Sequence, residues 1–173
     1  LNAIKAGLKR TKEEETEFDL GSFALTVKNV KEEDWANNWK KYFKPFPVGD
    51  KIIIKPSWEE YENTENKAVL NIDPGHIFGT GSHETTQGCI EFIEKYIKEG
   101  DVVADIGCGS GILAIAAILM GAKFASAVDI DPNAIEIVKQ NADLNNISGD
   151  KYEVFAGDIL NDDKLKTQFG GKK

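Results

Sequence analysis

The sequence predicts an α/β fold built on a parallel sheet. From residue 84 onward, strand-like and helix-like patterns alternate: helix, strand, helix, strand, helix, strand. A glycine-rich turn joins the first of these strands to the helix that follows. That helix, residues 112–120, is apolar nearly all round and is expected to be buried.

The elements in order support this reading. Residues 1–17 begin with a short helical pattern (Ile4, Leu8) and pass into a charged run from Thr11 to Glu17, a solvated face or linker. Residues 18–30 look like a strand, with Phe23, Leu25 and Val27 alternating with Ala24 and Thr26. Asp34 is placed to cap a short helix over 35–42, which Pro45 and Pro47 stop. Ile52, Ile53 and Ile54 form a buried strand closed by Pro56, and residues 69–72 form another, ended by the turn signal Asp73-Pro74-Gly75. An amphipathic helix is expected over 84–97, with Cys89, Ile93, Tyr96 and Ile97 on its apolar face. Strands follow at Val102–Ile106, 124–128 and Tyr152–Ala156. The helix between the last two has Pro132 in its first turn and runs to about Asn145. Parallel strands joined in this way imply right-handed crossovers.

Bulk properties narrow the class. The chain has 173 residues, enough for one domain and a small appendage, and a net charge of −8. Such a chain lacks the surplus of Lys and Arg that non-specific nucleic-acid binding needs, and suits a basic protein or a cationic small molecule. Cys89 and Cys108 lie too far apart to form a disulfide framework. No apolar run approaches a membrane span, and Leu1-Asn2-Ala3-Ile4 has neither a signal-peptide pattern nor an initiator Met. The expectation is a cytoplasmic protein whose start is cut or processed, with no membrane and no direct nucleic-acid partner.

Chemistry concentrates at Asp105-Ile106-Gly107-Cys108-Gly109-Ser110-Gly111. Glycines at a strand-to-helix turn adopt dihedrals that a Cβ forbids and let the backbone approach a ligand, while the helix start offers free N–H groups. A nucleotide-type ligand at the carboxyl edge of the strand is the expected use. The spacing is G-x-G-x-G, with Ile112 where a dinucleotide fingerprint wants its last glycine, which argues against an NAD-dependent oxidoreductase. Asp129 ends the next strand, 22 residues after Gly107, where a carboxylate can accept both hydroxyls of a ribose; Asp131 is placed to share the task.

The Asp-x-Gly-x-Gly-x-Gly run resembles the first motif of class I methyltransferases. Together with Asp73-Pro74-Gly75-x-x-Phe78-Gly79-Thr80-Gly81-x-His83-x-Thr85-Thr86 and Val128-Asp129-Ile130-Asp131-Pro132, the chain is similar to the PrmA family, methyltransferases of large-subunit ribosomal protein L11, from about Trp35 to Asp158. The resemblance implies a Rossmann-like class I methyltransferase sheet. It implies S-adenosylmethionine as cofactor, held by Thr86, Gly107, Gly109 and Asp129, and amino groups of ribosomal protein L11 as acceptors. Without it, Thr86 reads more simply as a helix-start hydroxyl. The implied organisation is the end of a small N-terminal α+β substrate-recognition domain over 1–30, a linker over 31–56, and the N-terminal half of the methyltransferase domain over 57–173.

The resemblance names no catalytic base. The family's further cofactor-binding Asn, after a fourth strand, has no counterpart before Lys173, so the C-terminal strands are expected to be absent. Val102–Ile106 would then carry an apolar edge open to another chain or to self-association. A fragment that binds cofactor without catalysis and an NAD-dependent oxidoreductase are the remaining alternatives. His76 and His83 are expected to pack or hydrogen-bond, with no metal; Cys108, though near a helix start, is read as a small filler. Trp35, Trp39 and Trp58 are read as packing residues.

Overall fold

The alternation read from the sequence is the framework of the computed structural model, which describes residues 2–14, 21–22, 24–26, 39–73 and 79–169. The chain divides into two units, Leu1–Tyr42 and Phe43–Lys173. In the first, helix α1 spans Asn2–Glu14 and takes in much of the charged run. Lys9 and Arg10 pair along it with Glu13 and Glu14 at 3.7 Å each. The strand expected over 18–30 is not found in its described residues, 21–22 and 24–26. There Gly21 has φ 75° and Ser22 Oγ accepts the Ala24 N–H at 3.3 Å, a local bond that competes with a strand ladder. The described part of the helix expected over 35–42 is a 3-10 turn, Trp39–Lys41. Asp34 and Trp35 lie outside the described residues.

In the second unit, strands β1 (Phe46–Val48), β2 (Ile52–Pro56) and β3 (Ala68–Ile72) form a small sheet in that order. β1 runs antiparallel and β3 parallel to β2. β1 is not anticipated by the sequence reading, which took Pro45 and Pro47 only as breakers. As an edge strand β1 tolerates a residue with no N–H to donate. Residues 46–48 and 52–56 thus both belong to this sheet. Ile52, Ile53 and Ile54 are buried, as expected. Trp58 packs edge-on against Phe43 with centroids 5.9 Å apart.

Helix α2 (Glu84–Tyr96) follows. Its inward face differs from the expectation: Thr86 and Ile90 are buried, with Ile93 and Ile97 half-buried, while Cys89 and Tyr96 face out. Tyr96 stacks on the exposed Phe92 at 6.0 Å instead. Glu94, on the same helix, accepts the N–H groups of Asp50 and Lys51 at 3.0 Å each and so ties the β1–β2 turn to α2.

The second sheet is parallel throughout, in the order β4 (Val102–Ile106), β5 (Phe124–Asp129), β6 (Tyr152–Ala156). Helix α3 (Ile112–Leu119) and helix α4 (Ala134–Leu144) are the crossovers. Pro132 falls just ahead of the α4 N-cap Asn133 rather than within the helix. A last helix, α5 (Asp163–Phe169), has no counterpart in the sequence reading. Small residues on β5 let the helices approach: Ala125 and Ala127 cluster with Cys108 and Ala114, and with Ala134 and Val138 of α4. Among the described residues β4 lies at one edge of the sheet, with Val102 47% and Ile106 64% exposed.

The outer edge of β3 is closed by a side chain. Asn145, the C-cap of α4, accepts the Asn71 N–H at 2.8 Å and donates to the Asn71 carbonyl at 2.7 Å. A side-chain amide thus fills both positions that a neighbouring strand would occupy. Truncating Asn145→Ala leaves both backbone groups of Asn71 without this partner and is expected to lower the unfolding free energy by about 2 kcal/mol in urea titration. Asn145→Asp keeps the acceptor but turns a second oxygen on the Asn71 carbonyl, so it should restore at most part of the loss.

Candidate cofactor site

Three glycines with positive φ shape the turn out of β4: Gly107 (77°), Gly109 (50°) and Gly111 (78°). The N–H groups of Gly107 and Cys108 both point at the Val128 carbonyl, at 2.8 and 3.1 Å, which locks the turn to the end of β5. The Gly109 N–H donates to Asp129 Oδ2 at 2.8 Å, and Asp129 Oδ1 accepts the Asp131 N–H at 2.9 Å. Each Asp129 oxygen thus holds one backbone group and retains further acceptor capacity. Asp131 turns its own Oδ1 to the N–H and the side-chain amide of Asn133, at 2.9 Å each.

The glycines differ in what excludes a side chain. A Cβ on Gly111 would come within 2.9 Å of Val138, so this glycine permits the close approach of α3 and α4. A Cβ on Gly107 would meet nothing within 4 Å among the described residues, so the backbone dihedral is the constraint. Gly107 thus presents bare backbone next to a strand-end carboxylate, the character of a ligand cradle.

Helix α3 begins on Gly111 with no side-chain cap at that position. Its cap comes from the preceding strand: buried Asp105 accepts the Ala114 N–H at 3.1 Å. Burial pushes the Asp105 carboxyl above the ordinary range, the Ala114 N–H opposes the shift, and the Asp129 charge adds to it. Burial, reinforced by Asp105 and Asp129, pushes the Cys108 thiol up to about 12. Nearness to a helix start therefore does not activate this cysteine, and it packs in the core as a small filler.

The four residues expected to hold cofactor fall into two groups. Gly107, Gly109 and Asp129 are drawn together at the ends of β4 and β5. Thr86 sits buried in the first turn of α2, and no hydrogen bond joins it to the other three among the described residues. His83 caps that helix through Nδ1, which accepts the Thr85 N–H at 3.3 Å and bonds the Thr85 hydroxyl at 2.7 Å. His76 lies outside the described residues.

Two polar residues escaped the sequence reading. Ser110 and Asn141 are both fully buried, and the Asn141 side-chain amide donates to the Ser110 carbonyl at 2.9 Å. The signal was present: Asn141 continues the inward stripe of Ala134, Val138 and Ala142 on α4, and a polar residue on such a stripe has a buried partner.

Comparison with known proteins places this arrangement. Residues 3–169 match the family model described as ribosomal protein L11 methyltransferase (PrmA). A ribosomal protein L11 methyltransferase of Clostridium botulinum (strain Eklund 17B / Type B) is 49% identical over 147 residues, covering 85% of this chain and 46% of that protein. Its namesake from Thermoanaerobacter pseudethanolicus is 48% identical over 145 residues, covering 84% and 46%. The chain therefore spans just under half the length of these relatives. Among solved structures, the ribosomal protein L11 methylase of Lactobacillus delbrueckii subsp. bulgaricus aligns with a TM-score of 0.61 and 33% identity, over 69% of this chain and 61% of that one.

Two outcomes follow from the buried groups. Asp105→Asn keeps an acceptor for the Ala114 N–H and removes a buried charge, so its stability at pH 7 should equal or exceed that of the parent. Asp105→Ala loses the cap and should cost about 1–2 kcal/mol. Because the folded Asp105 pKa is raised, its contribution is full below the ordinary value of 3.8 and is lost as pH climbs through the folded value. The advantage of Asp105→Asn should accordingly shrink as urea titrations are carried from neutral to acid pH. Iodoacetamide at pH 8 should modify exposed Cys89 in the native chain and reach Cys108 only after unfolding, read as one and then two adducts by intact mass.

Proposed function

This chain belongs to the ribosomal protein L11 methyltransferase (PrmA) family, and from that membership we propose that the protein carrying it transfers methyl groups from S-adenosylmethionine to amino groups of ribosomal protein L11. The carrying observation is the Asp129 carboxylate bound to the Gly109 N–H at 2.8 Å beside the bare backbone of Gly107. Gly107 and Gly109 would let the backbone reach the ligand, Asp129 would accept from the ribose hydroxyls, and Thr86 would add a hydroxyl. When bound, S-adenosylmethionine supplies a methyl group on a positively charged sulfur, already activated for displacement.

What the chain contributes is placement and charge. The Asp129 carboxylate, at the end of β5, suits a cationic ligand. Ile130, 75% exposed, follows directly on the end of β5, and Leu160, 78% exposed, lies four residues beyond the end of β6; both offer apolar surface for the flat face of a base. The acceptor amine has to reach the site uncharged. A lysine with a pKa near 10.4 is almost wholly protonated at neutral pH, and transfer to a less hydrated pocket lowers that value. The net charge of −8 favours approach of a basic ribosomal protein. In this reading residues 1–30 are the end of a substrate-recognition domain, residues 57–173 begin the methyltransferase domain, and the protein works in the cytoplasm.

The reading is tested with the intact protein, ribosomal protein L11 and methyl-labelled S-adenosylmethionine. Label should pass to L11, and Asp129→Ala should weaken cofactor binding by tenfold or more, on the order of one lost charge-assisted hydrogen bond or two. Binding of NAD in place of S-adenosylmethionine, or label transfer undiminished by Asp129→Ala, would overturn it.

A further inference from the structure

The two groups of candidate cofactor residues have no direct hydrogen bond between them among the described residues, yet a cofactor touching both requires fixed spacing. The buried polar network supplies the connection. Ser110, inside the glycine-rich turn, donates its hydroxyl to the Gly79 carbonyl at 2.8 Å. Its own carbonyl accepts the Asn141 amide at 2.9 Å, and Asn141 Oδ1 accepts the Asp73 N–H at 2.8 Å. One serine thus ties the glycine turn to Gly79 directly and to Asp73, at the end of β3, through Asn141.

The path from Gly79 to Thr86 is short and pinned. Gly79 lies so close to Ser110 that a Cβ there would collide with the serine hydroxyl. Gly81 has φ 81° and is wedged between two isoleucines: a Cβ would meet Ile54 of β2 at 2.5 Å and Ile112 of α3 at 2.8 Å. Ser82 bonds the Thr80 hydroxyl at 2.8 Å, its carbonyl takes the Gln87 side-chain amide at 3.0 Å, and His83 caps α2. Thr86 is the third residue of that helix. A shift of Gly79 against Ser110 would therefore be passed on to Thr86, with little slack between them.

We propose that Ser110 and Asn141 are positioning residues of the cofactor site: Ser110 holds the Gly79–Thr86 segment in register with the glycine-rich turn, and Asn141 fixes that turn to the end of β3, so that one ligand engages Thr86 and Asp129 together. The inference rests on the reading of the site as one for S-adenosylmethionine. Neither residue has to touch the ligand. Both are buried, and their polar atoms face the backbone of Gly79, of Asp73 and of the glycine-rich turn. Burial strengthens these bonds and raises the cost of losing one partner, so the register is stiff.

The test uses the intact protein and S-adenosylmethionine, with hydrogen exchange read segment by segment and affinity read by calorimetry. In the parent protein the cofactor should slow exchange both at residues 107–111 and at residues 79–86. Ser110→Ala removes only a hydroxyl. It should keep cofactor-induced protection at 107–111, lose it at 79–86, and raise the Kd by about tenfold. The KM for the methyl donor should rise far more than kcat falls. Asn141→Asp keeps the acceptor for Asp73 and sets an oxygen against the Ser110 carbonyl, so it should weaken binding similarly; if it fails to fold, Ser110→Ala alone decides. A parent protein that binds but protects only 107–111, or a Ser110→Ala protein with parental affinity and protection at both segments, overturns the inference and leaves the cofactor reading standing. A parent protein that does not bind S-adenosylmethionine overturns both.

Discussion

A helix that starts on a glycine cannot satisfy its own first N–H groups, and much of this structure depends on how that deficit is met. At the start of α3, Gly111 has to be glycine because Val138 lies against it, so the usual capping side chain is excluded. The strand before the turn supplies the missing acceptor: Asp105 reaches over the turn to the Ala114 N–H. Strand, turn and helix are thereby fixed as one piece, with a carboxylate buried at its centre. The cost of that burial shows in the raised proton affinity of Asp105. What it secures is a turn whose Gly109 N–H stays oriented toward Asp129.

Most of the second sheet was legible because its physics is local. Val102–Ile106 and Tyr152–Ala156 match in full, and β5 runs one residue beyond the expectation, to Asp129. These strands are bounded by glycine or turn residues; the first helix between them is marked by its continuous apolar run and the second by its amphipathic period. The misreadings have equally local causes. By itself Pro47 reads as a breaker, but an edge strand requires nothing of its missing N–H. On α2 the stripe through Cys89 and Tyr96 and the stripe through Thr86 and Ile90 compete. Hydrophobicity favoured the first, whereas the packing of Gly81 between Ile54 and Ile112 fixes how the chain enters the helix and selects the second. In residues 18–30 alternation was real, yet the turn bond at Ser22 prevailed in the part described.

The candidate site was legible to the extent that it is written in backbone. Positive-φ glycines and a strand-end carboxylate leave marks at fixed spacing, and Gly107, Gly109 and Asp129 are indeed drawn together. Ser110 left no such mark, and Asn141 left only its place on the inward stripe of α4. Their partners are backbone atoms of Asp73 and Gly79, distant in sequence, and any residue type there would present the same carbonyl or N–H. Cys108 was legible as well: read as a small filler despite the nearby helix start, it packs among Ala114, Ala125 and Ala127, where burial raises its thiol pKa.

Asn145 carries a consequence for folding fidelity. A strand slipped by two positions keeps its inward face inward, so hydrophobic burial alone discriminates poorly between such alignments. The amide on Asn145 engages the N–H and the carbonyl of one residue, Asn71, and its geometry depends on where β3 stops along β2. Slippage by two positions would present the backbone of a different residue, displace Asp73 from Asn141, and unseat both amides of α4 at once. The helix thus proofreads the alignment of a sheet to which it contributes no strand, and rejects a mispairing that greasy side chains would accept.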